Sequence, residues 1–314
     1  MVSKVTVITG YLGAGKTTLI NALLSRPQAG RYAVIVNEFG DLGIDGDLIL
    51  DTDEEIIELT NGCLCCSVRG DLFGALRNLQ PRLAEIDGVI IETTGLADPA
   101  PVAQTFLVGE EASKDYALDA VVTLVDACHG AALLDTEHEA VSQVAFADRI
   151  IVTKTDRANA ETVAQLRPRL RALNPSAPLI EADHGAVPPS SITGLGAFDM
   201  NKLSLDHDPV GAHSHSADVQ SLSLTADRPI DPDRFMQWMQ QVVVTDGTNI
   251  LRTKGVIDFR GESRRFVFQG VQTVLEGDVQ GPWPDGPRES RMIVIGRHLD
   301  ADGLSSGWQA CLTG

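Results

Sequence analysis

Along the first two thirds of the chain, short apolar runs alternate with stretches in which apolar positions recur every three or four residues. "KVTVIT", "YAVIVN", "GVIIET", "DAVVTLVD" and "RIIVTK" are rich in Val and Ile and nearly continuous. That is the pattern of parallel strands buried on both faces. Between them, "KTTLINALLS", "DLFGALRNLQPRLAEI" and "AETVAQLRPRLRAL" carry helical spacing. The alternation predicts an α/β domain with a doubly wound, mostly parallel sheet. The pattern breaks in "LSLDHDPVGAHSHSADVQSLSL", where Asp, Gly, Pro, Ser and His dominate. A linker is therefore expected at residues 201–217, separating a first domain (1–200) from a second (218–314). In the second, "VQSLSL", "LRTKGVIDF", "RRFVFQGV" and "RMIVIGRHL" read as strands and "DPDRFMQWMQQVV" as one helix. Asp231 is suited to its N-cap and Pro232 to its first turn. A smaller α+β domain follows from this.

A length of 314 residues accommodates two domains with proper cores. No apolar run approaches the roughly 20 residues of a membrane span. "MVSKVTVITG" lacks the apolar stretch and cleavage site of a signal peptide. The expected compartment is the cytoplasm, where thiols stay reduced, and no membrane partner is expected. A formal charge of −18 argues against nucleic acid, whose phosphates are met by clustered Lys and Arg. Such acidity mostly serves solubility and leans only weakly toward cationic partners.

"VTVITGYLGAGKTTLINALL" fits G-x-x-x-x-G-K-[ST] at Gly10, Gly15, Lys16 and Thr17, between a strand and a helix. Glycines let the loop curl its N–H groups around phosphates, and the helix N-terminus adds its positive end. Gly13, Ala14 and Thr18 belong to the same nucleotide-binding stretch. Lys16 would reach the β- and γ-phosphates, and the Thr17 hydroxyl would hold Mg²⁺. "GVIIETTG" ends a strand in Glu92, a carboxylate suited to the Mg²⁺ shell, with Gly95 three residues on, where its backbone would follow the γ-phosphate. In "RIIVTKTD", Asp156 would accept the paired N–H donors of guanine and Lys154 would lie along the base plane. Thr153 stands where Asn is commonest in the Asn-Lys-x-Asp element of GTPases, which weakens one contact. GTP is the expected nucleotide.

"NGCLCC" places Cys63, Cys65 and Cys66 within four positions, and "VNEFGDLGID" upstream supplies Glu38 and Asp41 where GTPases keep switch I. A disulfide inside the cluster would be strained. A Cys nucleophile needs a positioned base, and none is identifiable. Three thiols with a carboxylate suit Zn²⁺ or Co²⁺, provided that a turn brings Cys66 round to the other two.

Together, "GYLGAGKTT", "VNEFGDLGID", "GCLCCSVRGDL", "IIETTGLADP" and "TKTD" resemble the CobW-type family of P-loop GTPases. "VQSLSL", "RTKGVIDF" and "VIGRHLD" resemble that family's C-terminal domain. The resemblance covers essentially the whole chain. It implies a P-loop NTPase fold and a GTP-dependent metallochaperone or metal insertase for zinc, or for cobalt in cobalamin synthesis. Its partner would be a client metalloprotein or cobalamin-synthesis enzyme. Carried over by position, Cys63, Cys65 and Cys66 become the metal motif, with Glu38 in the adjoining switch. "LVDACHG" adds His129, although a loop histidine is more often exposed or structural. Asp41 replaces the family's more usual Glu and is too short for an assured ligand. His207, His213 and His215 read as a polar linker with at most transient metal binding. Cys128 reads as core packing, and Cys311 has no visible role. The competing class is a non-catalytic nucleotide-binding protein for metal storage or sensing. The choice between zinc and cobalt, the identity of the client and a homo-oligomeric state stay open.

Overall fold

The structure is a computed structural model that describes residues 2–26, 30–37, 56–59, 67–108, 114–182, 186–198 and 219–313. The chain divides into two compact units, Met1–Pro168 with Ala177–Leu195 and Arg169–Ser176 with Gly196–Gly314. The first contains strands β1 (Ser3–Gly10), β2 (Tyr32–Asn37), β3 (Ile56–Leu59), β4 (Gly88–Glu92), β5 (Tyr116–Asp126), β6 (Arg149–Thr153) and β7 (Leu179–Glu181). All seven run parallel in the order β3-β2-β4-β1-β5-β6-β7. Helices α1 (Lys16–Leu24), α2 (Ser67–Leu79), α3 (Ala100–Val108), α4 (Gly130–Thr136), α5 (His138–Phe146) and α6 (Ala160–Leu173) lie between the strands in sequence. The Val/Ile-rich strands are covered on both faces: every residue of β4 is buried, as are the last six of β1. Ile8, Leu19, Ile20, Leu23, Val34, Ile90 and Val122 close one core layer. The predicted helix through "DLFGALRNLQPRLAEI" is shorter than its pattern. It ends at Leu79, and Pro81 sits in a 3₁₀ turn over Gln80–Arg82, because proline cannot donate the next helical hydrogen bond.

The second unit is a five-stranded antiparallel sheet of β8 (Val219–Ala226), β9 (Ile250–Ile257), β10 (Arg264–Val271), β11 (Val274–Pro282) and β12 (Ser290–Arg297). Their order is β11-β10-β9-β12-β8. Helix α7 (Pro232–Asp246) has the expected cap, with the Asp231 carboxylate accepting from the N–H groups of Asp233 and Arg234. One helix was predicted here, and the structure has a second, α8 (Ala301–Ala310). Its sequence "ADGLSSGWQA" is poor in helix formers. It forms because the Asp300 side chain accepts from Gly303 N–H and because Leu304 and Trp308 are buried. Trp308 is fully buried, with its indole N–H donating to the Thr225 carbonyl at 3.0 Å. Phe235 packs edge-on against Trp238, Phe259, Phe268 and Trp308, at centroid distances of 5.9, 5.5, 5.5 and 6.3 Å. Cys311 belongs to this core, where burial pushes its thiol up to about 11. Its role is packing.

Candidate active site

In parallel α/β sheets, ligands bind beyond the carboxyl ends of the strands. The sequence-predicted nucleotide residues gather there. Strands β4, β1, β5 and β6 are neighbours, and they end in Glu92, Gly10, Asp126 and Thr153. After β1 the chain turns through Gly10, Gly13 and Gly15, whose φ angles of 143°, 73° and 94° belong to the left-handed side, where side chains are strained. A Cβ on Gly10 would also stand 2.4 Å from the Leu124 carbonyl oxygen. Gly15 forms the N-cap of α1 without a side-chain cap, which leaves the first helical N–H groups directed at whatever occupies the loop. Lys16 is buried and its Nζ donates to the Gly10 carbonyl at 2.9 Å, folding the side chain over the loop.

The Thr17 hydroxyl donates to Glu92 Oε1 at 3.1 Å, and Glu92 is only 3 % exposed. A hydroxyl and a carboxylate brought together by α1 and β4 form an all-oxygen donor set, which fits a hard divalent cation such as Mg²⁺. Beyond Glu92, the Thr93 N–H donates to the Ile8 carbonyl and its hydroxyl donates to Thr9 Oγ1 at 2.8 Å. Gly95 then passes so close to the phosphate loop that a Cβ there would lie 2.6 Å from the Leu12 nitrogen.

On the other side of the loop, Lys154 adopts φ 56° and Asp156 follows β6. The Lys154 ammonium donates to Asp126 Oδ2 at 2.8 Å, and His129 Nδ1 meets the same oxygen at 3.0 Å. The Cys128 N–H donates to Asp126 Oδ1. Burial pushes the Asp126 carboxyl up, but the hydrogen bonds from Lys154, His129 and Cys128 outweigh it and hold the group below its usual value. Thr153 is buried, and its hydroxyl donates to the Ala14 carbonyl at 2.7 Å, tying β6 to the phosphate loop. Thr153 thus makes a contact of its own where the sequence pointed only to a weakened one. Cys128, expected as core packing, is half-buried at the start of the segment leading into α4, and its main chain rather than its thiol makes the short bond.

Cys63, Cys65, Cys66, Glu38 and Asp41, like His207, His213 and His215, lie outside the described residues. His129 lies beside Lys154 through Asp126, with its side chain 73 % exposed. Among the described residues, no group of three or more His, Cys, Asp or Glu is placed to hold a metal ion, and no helix is long and apolar enough to cross a membrane. Three sets of contacts at this edge of the sheet escaped the sequence reading: those of Asp126 with Lys154 and His129, that of Thr153 with Ala14, and those of Gln143 of α5 with the Gly95 and Ala97 carbonyls. Asp126 carried a signal, since it ends the strand between the two nucleotide motifs.

A parallel sheet with a glycine loop at its carboxyl edge, a hydroxyl–carboxylate pair and a Lys-x-Asp element define a P-loop nucleotide-binding protein joined to an antiparallel domain. The chain belongs to the CobW/HypB/UreG family. Residues 4–181 match its nucleotide-binding domain, and residues 219–312 match the cobalamin synthesis protein CobW C-terminal domain. It is 36 % identical to the zinc chaperone YjiA of Escherichia coli over 97 % of both chains. Identity is 30 % with the zinc-regulated GTPase metalloprotein activator 1 of Schizosaccharomyces pombe, over 94 % of this chain and 82 % of that one. The crystal structure of Zn(II)-bound YjiA GTPase from E. coli covers all of both chains at a TM-score of 0.83 and 31 % identity.

Proposed function

We propose that this chain is a GTP-hydrolysing zinc chaperone, which couples the state of its nucleotide to delivery of Zn²⁺ to a client metalloprotein. The observation that carries the reading is the joining of Thr17 and Glu92 at the phosphate loop, in a chain similar from end to end to a zinc chaperone. Lys16 leaves the Gly10 carbonyl for the β- and γ-phosphates, and the loop N–H groups hold the phosphate oxygens. Thr17 and Glu92 would hold Mg²⁺, which would supply charge neutralisation at the phosphates. The Gly95 N–H meets the γ-phosphate. Asp156 accepts the guanine N–H pair, while Asp126 keeps the Lys154 stem along the base. The metal cargo sits on Cys63, Cys65 and Cys66, with Glu38 linking that site to the nucleotide and His129 as a further donor. The same thiolate set accepts Co²⁺, so the ion carried is set by supply as much as by ligand type.

The test is a competition titration with Zn²⁺ and Co²⁺ in the apo, GDP and GTP-analogue states, run with turnover of GTP and ATP. The reading requires GTP in preference to ATP and metal affinity that changes with nucleotide, by about 5–150-fold for ordinary couplings. It also requires loss of metal binding in Cys65→Ala. Replacing Asp156 by Asn should cost about 1–3 kcal/mol of guanine discrimination. Stoichiometric zinc without GTP turnover would point to a storage protein instead.

A further inference from the structure

We infer that Gln143, a residue of α5 distant in sequence from every nucleotide motif, is the positioning residue that presents Gly95 to the γ-phosphate. The inference rests on the role given to Gly95 above. Gln143 is 1 % exposed. Its side-chain amide nitrogen donates to the carbonyl oxygens of Gly95 at 3.0 Å and Ala97 at 3.1 Å, so both N–H bonds are spent on the loop after β4. The residue is itself fixed, because the Thr123 hydroxyl of β5 donates to its backbone carbonyl at 2.8 Å. At the other end, the loop is tied to β1 through both the N–H and the hydroxyl of Thr93. Gly95 thus lies between two anchors and against Leu12 of the phosphate loop.

The hydrogen bonds of the loop are distributed unevenly. Ala97 N–H donates to the Thr94 carbonyl and Leu96 N–H to the Thr94 hydroxyl. The Gly95 N–H makes no hydrogen bond among the described residues, while the Gly95 carbonyl is held. Holding that carbonyl, with Thr93 fixed two residues earlier, orients the peptide that carries the open donor. A donor preorganised where charge develops is the usual means of stabilising a phosphoryl transition state. Gln143 is also not the residue that packing alone would select. Its Oε1 is buried without a hydrogen-bond partner among the described residues, a cost that an apolar side chain would avoid. What the amide supplies is a neutral double donor, which holds two carbonyls without adding a charge beside the phosphates.

The experiment compares Gln143→Met, similar in volume but without a donor, with the parent in the full chain with Mg²⁺. Affinities for GDP and for a non-hydrolysable GTP analogue are measured beside GTP turnover. GDP affinity should stay within about twofold, since GDP lacks the phosphate that Gly95 meets. Analogue affinity should fall roughly fivefold to tenfold, the scale of one or two buried hydrogen bonds, and kcat should fall at least about tenfold. Equal losses for GDP and analogue, or unchanged turnover, overturn the inference, because a merely structural role would move both nucleotides together. Should the Met variant fail to fold, Gln143→Asn keeps an amide one methylene short of the loop, and the same selective loss is required of it. The parent separates the two levels. If it binds the analogue no more tightly than GDP, the reading of Gly95 falls. If it prefers the analogue and the Gln143 variants keep that preference, the role of Gln143 alone falls.

Discussion

Replacing Thr153 by Val tests whether the end of β6 holds the phosphate loop in place. The substitution exchanges a hydroxyl for a methyl at a site 3 % exposed, so the volume is conserved. What is lost is the bond to the Ala14 carbonyl at 2.7 Å, together with a longer one to the Val125 carbonyl at 3.4 Å. The first is a short, buried link between residues 139 apart in sequence. A neutral hydrogen bond of this kind contributes about 0.5–1.5 kcal/mol net, and stranding a buried carbonyl costs about 1–3 kcal/mol. Ala14 is buried and directly precedes the N-cap of α1, so water does not readily replace the lost donor. The expected destabilisation is therefore about 1–3 kcal/mol. If the loop relaxes instead of the whole unit, the same energy appears as weaker nucleotide binding, tenfold for each 1.4 kcal/mol. The assays are denaturant unfolding of the apo protein and titration with a fluorescent GDP, the sum of the two effects being compared with the range above. A Thr153→Val protein that matches the parent in both refutes the link. Thr153→Ser should stay close to the parent in both assays, since it retains the hydroxyl that donates to the Ala14 carbonyl.

Asp126→Asn should weaken nucleotide binding severalfold by releasing Lys154 and His129, measured by the same titration. The native Asp126 carboxyl is held below its usual value. Its contribution is therefore present above the unfolded value of about 3.9 and is lost as the pH falls through the lower folded one. The stability gap between parent and Asp126→Asn should accordingly be full at neutral pH and close only below about pH 4 in acid unfolding curves. Trp308→Ala should cost the second unit about 3–5 kcal/mol through the cavity left in the aromatic cluster, read as a shift in its denaturant midpoint.

Strands β1, β2, β4, β5 and β6 were legible because they are covered on both faces, so that burial is written into every residue of "AVIV" or "VIIE", whereas β3 and the three-residue, partly exposed β7 were not read. β11 was not legible: "VLEGDVQGP" is an edge strand exposed along most of its length, and with one partner its side chains carry no apolar pattern. α8 was hidden for the opposite reason, since its glycines and serines speak against a helix and only tertiary burial of Leu304 and Trp308 secures it. At the site, the glycine loop with Lys16 and Thr17 could be read because neighbours in sequence do the work. The contacts of Gln143 with Gly95 and Ala97 span 48 and 46 residues, and that of Thr153 with Ala14 spans 139. No local pattern marks the residues that meet only after the sheet has closed. The thiol motif carries the clearest metal signal in the sequence, and it lies outside the described residues.

The aromatic cluster around Phe235 has an experimental consequence. All three tryptophans, Trp238, Trp283 and Trp308, belong to the second unit, whereas all three tyrosines, Tyr11, Tyr32 and Tyr116, belong to the first. Light absorbed by indole alone is therefore emitted from one unit only. A denaturation curve followed by tryptophan emission reads residues of the antiparallel unit. Tyr116 offers the complementary probe: burial, with a smaller push from Asp115, raises its phenol to about 12. In the folded first unit that ring ionises only in strong alkali, and on unfolding it returns toward about 10. Tyrosinate absorbance held between those two values thus follows the unit that contains no tryptophan, in the same cuvette and without a label.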